Sequence, residues 1–361
     1  TSRWDYDYTG GDHNGNLHKL ADKRVGVIGT GATAIQSVPF VGEHAKELYV
    51  FQRTPSSVDL RGNSPTDPEW AERLKPGWQR ERRENFNDIL LGVPVEEDLV
   101  NDGWTEIFRD LMSVVPANKE KDPEITPQEA AEMAEIADFK KMNGIRQRVD
   151  DTVKNEEVAD LLKPWYRQFC KRPTFNDEFL PTFNRENVTL VDTSINKGID
   201  RITEKGIVAN GVEYELDCII FATGFEVGTV YTRRAGFEVT GQDGKTLSEH
   251  FADGLKTFHG FSSHGFPNCF QMGGISQTGA SVNLTSVLDD HAQHIGYIIK
   301  EVLDRGVNYV QPTQEAETGW VETINNLAVN NQAYLEACTP GYYNNEGYIA
   351  DGGGIGQGYA P

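Results

Sequence analysis

Basic residues are scarce: 34 Lys and Arg stand against 55 Asp and Glu in 361 residues, a formal charge of −21. A protein that grips nucleic acid without regard to sequence needs a net positive face, so polyanion partners are excluded. Cysteine is scarcer still. Cys170, Cys218, Cys269 and Cys338 lie far apart and form no C-x-x-C pair, which excludes a disulfide framework and a zinc knuckle. They read as buried or incidental thiols in a reducing compartment. No apolar run approaches the roughly 20 residues of a membrane helix, the richest being Val25 to Ile28 and Cys218 to Ala222. No signal peptide precedes the two Asn-x-Thr sequons, and the expectation is a soluble, cytoplasmic protein without membrane contact. Also missing are a G-x-S-x-G elbow for an acyl-transfer serine and a Tyr-x-x-x-Lys pair for a simple reductase. His291 and His294 stand three residues apart on a helix-compatible stretch but have no third ligand at metal spacing, so no metal site is expected.

Aromatic residues are plentiful, with 17 Phe, 13 Tyr and 6 Trp, and this supports a substantial core. The length suits about two domains at roughly 150 residues each. The segment to Asn16 is Gly- and Asp-rich with no period and reads as a connection. From Lys23 the pattern sharpens. Arg24 to Gly29 is a short buried strand, Ala32 to Val41 a helix, and Leu48 to Gln52 a second strand, a β-α-β unit that implies a parallel sheet. Between Asp59 and Pro164 strand signals almost vanish. Asp67-Pro and Thr126-Pro-Gln-Glu129 start helices there, the second with a capping box. Met133, Ile136, Ile145, Val149 and Val153 follow at helical spacing. Strands return at Val188 to Asp192, around the Asn210-Gly211 turn, and at Leu216 to Ala222, which reads as fully buried. Ser281 to Leu303 reads as a long amphipathic helix, and the tail from Thr339 has no regular period.

Gly29-Thr30-Gly31-Ala32-Thr33-Ala34 is a G-x-G-x-x-A sequence placed between a strand and a helix. The first glycine permits a tight turn, the second lets a pyrophosphate reach the backbone, and the helix start supplies free N–H groups. Gln36 follows on the same helix. A structural glycine turn is the plainer reading of the same residues. An NAD site places an acid at the end of the second strand to hold the ribose 2′-hydroxyl, whereas a 2′-phosphate calls for a cation. Arg53-Thr54 stands at that place, so NADPH is favoured over NADH, the alternative being a surface arginine at a strand end. Ala222-Thr223-Gly224 closes the last strand and could equally be an ordinary turn.

Trp4-Asp5, the Gly29 to Ala34 loop, Phe51-Gln-Arg-Thr54, Lys171-Arg172-Pro173, Asn184-Arg-Glu-Asn-Val188 and Phe221-Ala-Thr-Gly-Phe225 together resemble the flavin-dependent Baeyer-Villiger monooxygenases. The likeness covers nearly the whole chain. The stretches Leu60-Arg-Gly-Asn63 and Pro76-Gly-Trp78 are most similar to the branch acting on large-ring ketones such as cyclododecanone and cyclopentadecanone. The resemblance implies an α/β, two-dinucleotide-binding, Rossmann-like flavoprotein that uses FAD, NADPH and O2. Such enzymes oxidise a ketone to an ester or lactone through a C4a-peroxyflavin. It also implies a fragment, because no second G-x-G-x-x-G of an N-terminal FAD unit is present and the FAD domain would be incomplete.

By the same resemblance Arg172 is the active-site arginine and Lys171 lies near the 2′-phosphate. Ala222, Thr223 and Gly224 lie where the chain returns to the FAD domain, and Thr278, Gly279, Ala280 and Leu284 lie near the isoalloxazine and substrate. Tyr342 occupies the place of an aromatic residue on an active-site loop. The implied organisation is a linker at 1–22, an NADP-binding domain at 23–58 and 168–220, a helical insertion at 59–167, and the C-terminal part of the FAD domain at 221–361. A non-catalytic NADP-binding fragment and a flavin enzyme oxygenating N or S are the rival readings. From residues alone, Lys171-Arg172 reads more readily as a solvated surface pair, and only the resemblance reverses that order.

Overall fold

The computed structural model describes residues 3–112, 114, 124–225, 230–273, 283–328 and 332–348. The chain divides into two compact units, Thr1–Phe225 and Glu226–Pro361.

The first unit is built on a four-stranded parallel sheet. Its strands are β1 (Arg24–Ile28), β2 (Glu47–Gln52), β5 (Val188–Asp192) and β9 (Cys218–Phe221), in the order β5-β2-β1-β9. The register is continuous, with Gly26 opposite Tyr49 and Ile219, and Leu48 opposite Val188. Period-two alternation explains both faces. Val25, Val27, Leu48 and Val50 point to one side, where the Ala32–His44 helix buries Ala34, Ile35, Val38 and Val41 against them. Ile28, Tyr49 and Phe51 point to the other, onto a three-stranded antiparallel meander of β6 (Arg201–Ile202), β7 (Gly206–Ala209) and β8 (Val212–Glu215). Asn210 and Gly211, at φ 52° and 77°, form the turn joining β7 to β8.

β9 departs from the expectation of a fully buried strand. It is the sheet's edge, and only Ile220 is buried while Phe221 is 54% exposed. The opening segment is also more ordered than a connection. Asp5 caps a one-turn helix at Tyr6–Thr9, and the Tyr8 hydroxyl donates to the Asp217 carbonyl beside β9 at 2.8 Å.

Two short strands, β3 (Val58–Asp59) and β4 (Thr174–Phe175), pair in parallel. Between them the described residues are helical: Pro68–Glu72, Trp78–Leu90, Gly103–Met112, Pro127–Thr152 and Glu156–Leu162. The Thr126–Glu129 capping box forms as the sequence predicts. Met142, Ile145, Val149 and Val153 are buried, but Ile136 is exposed.

The second unit contains helices at Leu284–Asp304 and Gln314–Leu327. Glu317, buried on the latter, accepts from His250 Nε2 at 3.1 Å and from the His264 backbone N–H at 2.9 Å. A Gln332–Glu336 helix precedes the tail, which holds a 3-10 turn at Tyr342–Gly347 where the residues show no regular period. Cys218 and Cys269 are free thiols and burial raises both. Cys170 and Cys338 are not free thiols, which corrects the reading of all four.

Candidate functional site

The carboxyl ends of the parallel strands converge at β1, with β2 on one side and β9 on the other. In open α/β sheets, ligands bind at such a switch point. Gly29 follows β1 at φ +106°. Its N–H donates to the Phe51 carbonyl at 2.9 Å, and a Cβ added here would lie 2.6 Å from the Ala222 carbonyl oxygen. Only glycine lets the loop pass between its two neighbours.

Thr30 is buried and donates through Oγ1 to the Thr54 carbonyl at 3.1 Å, while Ser56 Oγ donates to the Thr30 carbonyl at 2.6 Å. These two bonds clasp the glycine loop to the segment after β2, so Arg53 is held beside the loop that precedes the helix. Ser56 was not read from the sequence, because a lone serine after a strand carries no signal.

Gly31 is the N-cap of the Ala32–His44 helix, has no side chain with which to cap it, and faces no atom within 4 Å where a Cβ would stand. The first-turn N–H groups of Ala32, Thr33 and Ala34 therefore have no capping side chain at the positive end of the helix dipole. This is the geometry that accepts a phosphate. Gln36 is exposed and donates to the Ala32 carbonyl at 2.7 Å, so its amide is engaged with its own helix. Arg53 is exposed.

The residues flanking Lys171 and Arg172 are tied to the segment after β2 by a separate set of bonds. Thr174 donates from both its N–H (3.1 Å) and Oγ1 (2.7 Å) to the Ser57 carbonyl, and the buried Tyr166 hydroxyl donates to the Pro55 carbonyl at 2.8 Å. Burial pushes the Tyr166 phenol well above its ordinary value, so it remains a donor. In the β3–β4 register Val58 stands opposite Thr174, two residues after Arg172. Arg172 is exposed and Lys171 half-buried.

A cleft of about 530 Å³ opens at the β9 edge, lined by Thr33, Ala222, Thr223 and Gly224 together with Trp4 and Tyr8. It gathers four of the expected cofactor residues, and it adds two aromatics from the opening segment.

In the second unit, Leu284 begins its helix and is 55% exposed. Tyr342 is exposed and meets Tyr343 edge-on at 4.5 Å. Thr278, Gly279 and Ala280 lie outside the described residues. Among the described residues no cluster of His, Cys, Asp and Glu could hold a metal ion, and no helix is long and apolar enough to cross a membrane.

A glycine loop clasped to the segment after β2 and opening an uncapped helix is a geometry that can take a phosphate, and comparison with known proteins shows what the chain is similar to. The chain is 50% identical over 349 residues to neopentalenolactone D synthase of Streptomyces avermitilis, covering 96% of this chain and 58% of that protein. It is 51% identical over 350 residues to the Baeyer-Villiger monooxygenase ATR8 of Stachybotrys chlorohalonatus, covering 97% and 55%. Several of its relatives carry the name Baeyer-Villiger monooxygenase. Among solved structures, the polycyclic ketone monooxygenase of Thermothelomyces thermophila superposes with a TM-score of 0.85 at 40% identity, over 99% of this chain and 59% of that one. A steroid monooxygenase bound to NADP superposes with a TM-score of 0.66 at 29% identity, over 88% and 60%. No family model matches the chain. The chain thus spans somewhat more than half the length of the relatives it matches, and the α/β fold with its parallel sheet is the one those flavoproteins share.

Proposed function

We propose that this chain binds NADPH within a flavin-dependent Baeyer-Villiger monooxygenase that converts a bulky cyclic ketone to a lactone. The observation that carries the reading is the clasp between Thr30 and Thr54, which sets an open, uncapped helix start beside Arg53. The name of one solved relative, a polycyclic ketone monooxygenase, supports a large hydrophobic ring as substrate.

In this reading Gly29 and Gly31 admit the pyrophosphate, which sits on the N–H groups of Ala32, Thr33 and Ala34. Arg53, with Thr54 beside it and Lys171 on the neighbouring segment, holds the 2′-phosphate. A guanidinium pairs with phosphate in a fork that discriminates NADPH from NADH. Ala222, Thr223 and Gly224, which line the β9 cleft, are assigned to the flavin; in the second unit Thr278, Gly279 and Ala280 are assigned to the flavin, and Leu284 and Tyr342 to the substrate. FAD, when bound, supplies the two-electron chemistry by which NADPH reduces O2 to the oxidant. The overall balance is ketone, O2, NADPH and a proton going to ester, NADP+ and water.

Arg172 is assigned to the negative charge that develops on oxygen as the ketone carbonyl is attacked. Its charge cannot be lost by burial, and its planar donors cost no reorganisation at that moment. Given FAD, NADPH and O2, the Arg172→Ala protein is expected to keep flavin bleaching by NADPH while ester yield falls by roughly 100-fold or more. An unchanged ester yield removes Arg172 from the mechanism.

A further inference from the structure

The Pro127–Thr152 helix carries a polar row that an apolar-faced helical insertion does not account for. Asp138, Lys141, Ile145 and Arg148 recur at three- and four-residue spacing and share one face. Their polar members reach one target. Asp138 accepts from the Gln168 backbone N–H at 2.9 Å, at the 3-10 turn Gln168–Cys170 that leads directly into Lys171. Lys141 Nζ lies 2.8 Å from Asp59 Oδ2 in β3. Arg148 donates through Nη1 to the Val58 carbonyl at 2.7 Å and through Nη2 to the Asn176 carbonyl at 3.0 Å.

Val58 opens β3 and Asn176 follows β4, so one guanidinium ties both strands of the ribbon. That ribbon, with Thr174 bonded to the Ser57 carbonyl, joins the chain two residues past Arg172 to the chain four residues past Arg53. It is only two residues per strand, too short to hold its own register. From another side the Gly103–Met112 helix packs Trp104 on Phe175 and Phe108 on Phe169, at ring separations of 5.3 and 5.5 Å. Half-burying the Arg148 guanidinium costs desolvation, and two backbone carbonyls accepting from it offset that cost.

We propose that Arg148 is a positioning residue for the 2′-phosphate of NADPH, acting through the ribbon that fixes Lys171 and Arg172 beside Arg53. The inference rests on the NADPH reading given above. The helical segment between β3 and β4 is then the frame that sets coenzyme preference.

The test is titration of the 361-residue chain and its variants with NADPH and, separately, with NADH, followed by nicotinamide fluorescence. Arg148→Ala is expected to weaken NADPH by roughly 3- to 30-fold and to leave NADH unchanged, since NADH has no 2′-phosphate. Arg148→Lys, which reaches one carbonyl but not both, is expected to fall between. Equal loss of NADPH and NADH, or no loss of either, overturns the proposal. Should Arg148→Ala fail to fold, Asp138→Leu carries the same ratio test, and Asp138→Asn, which keeps an acceptor for the Gln168 N–H, is expected to restore the ratio. Arg53→Ala separates the two levels: unchanged NADPH affinity in that variant refutes the site itself, whereas a loss there with none in Arg148→Ala refutes only the positioning role.

Discussion

Gly29 and the Ala222 carbonyl oxygen approach so closely that a single added carbon on the glycine would stand 2.6 Å from the oxygen. The contact joins the ends of β1 and β9 and decides how the loop leaves the sheet.

Gly29 and Gly31 therefore respond oppositely to alanine. Gly29→Ala meets both the carbonyl and a left-handed φ, and is expected to cost about 1–3 kcal/mol of stability or more. Gly31→Ala faces open space at φ −78° and is expected to change stability by less than about 0.5 kcal/mol while weakening NADPH. Urea melts paired with NADPH titrations check this; a stable Gly31→Ala protein with unaltered affinity contradicts a pyrophosphate over that residue.

The clasp can be opened from one side. Thr30→Val removes the donor to Thr54 and leaves that buried site filled, so a cost of about 1–3 kcal/mol is expected, with a poorer NADPH fit. Thr30→Ser keeps the hydroxyl and is expected to retain affinity. Equal binding by the valine and serine variants would disprove the clasp.

Acid sensitivity has an identifiable source in the first unit. Asp217 is held down to about 2 by side-chain hydrogen bonds from Arg24, with the Arg24 backbone N–H adding to them. A carboxylate depressed in the folded state contributes stability that is complete above its unfolded value near 3.9 and is lost as pH falls toward about 2. Asp217→Asn is expected to flatten the melting-temperature profile across that window and leave its shape at neutral pH unchanged. An identical acid limb in the variant removes Asp217 as the source.

The second unit responds at milder acidity. His259 and His291 are both lowered, by burial first and then by neighbouring charge, with His294 acting against each and Asp290 favouring protonated His291. Depressed histidines contribute stability present above the unfolded value near 6.5 and lost as pH falls below it. His259→Phe keeps a ring against Phe258 and Trp320 and is expected to reduce the loss between neutral and mildly acid pH. A melting profile unchanged in that range counts against the assignment.

Much of this architecture is legible in residues with strong local signals. The Gly29 to Ala34 loop, the Asn210-Gly211 turn and the Thr126 capping box each dictate backbone geometry within a few positions, and each forms. What is not legible depends on distant partners. β3 and β4 are two residues each, and nothing in Val58-Asp59 announces Thr174-Phe175, 116 positions away by register. Arg148 and Asp138 look like solvated residues on an amphipathic helix until the ribbon they hold is seen. β9 reads as buried because its residues are apolar, and only the strand order reveals it as an edge. Glu317 and the Gln314–Leu327 helix escape notice because an acid in a polar helix signals solvent, not a buried acceptor for His250 and His264.

The most direct test supplies the protein with FAD, NADPH, isotopically labelled O2 and a polycyclic ketone, and weighs the product. The account predicts ketone-dependent NADPH oxidation and a lactone carrying one oxygen atom from O2. NADPH oxidation indifferent to the ketone, or a product whose added oxygen comes from water, would contradict it.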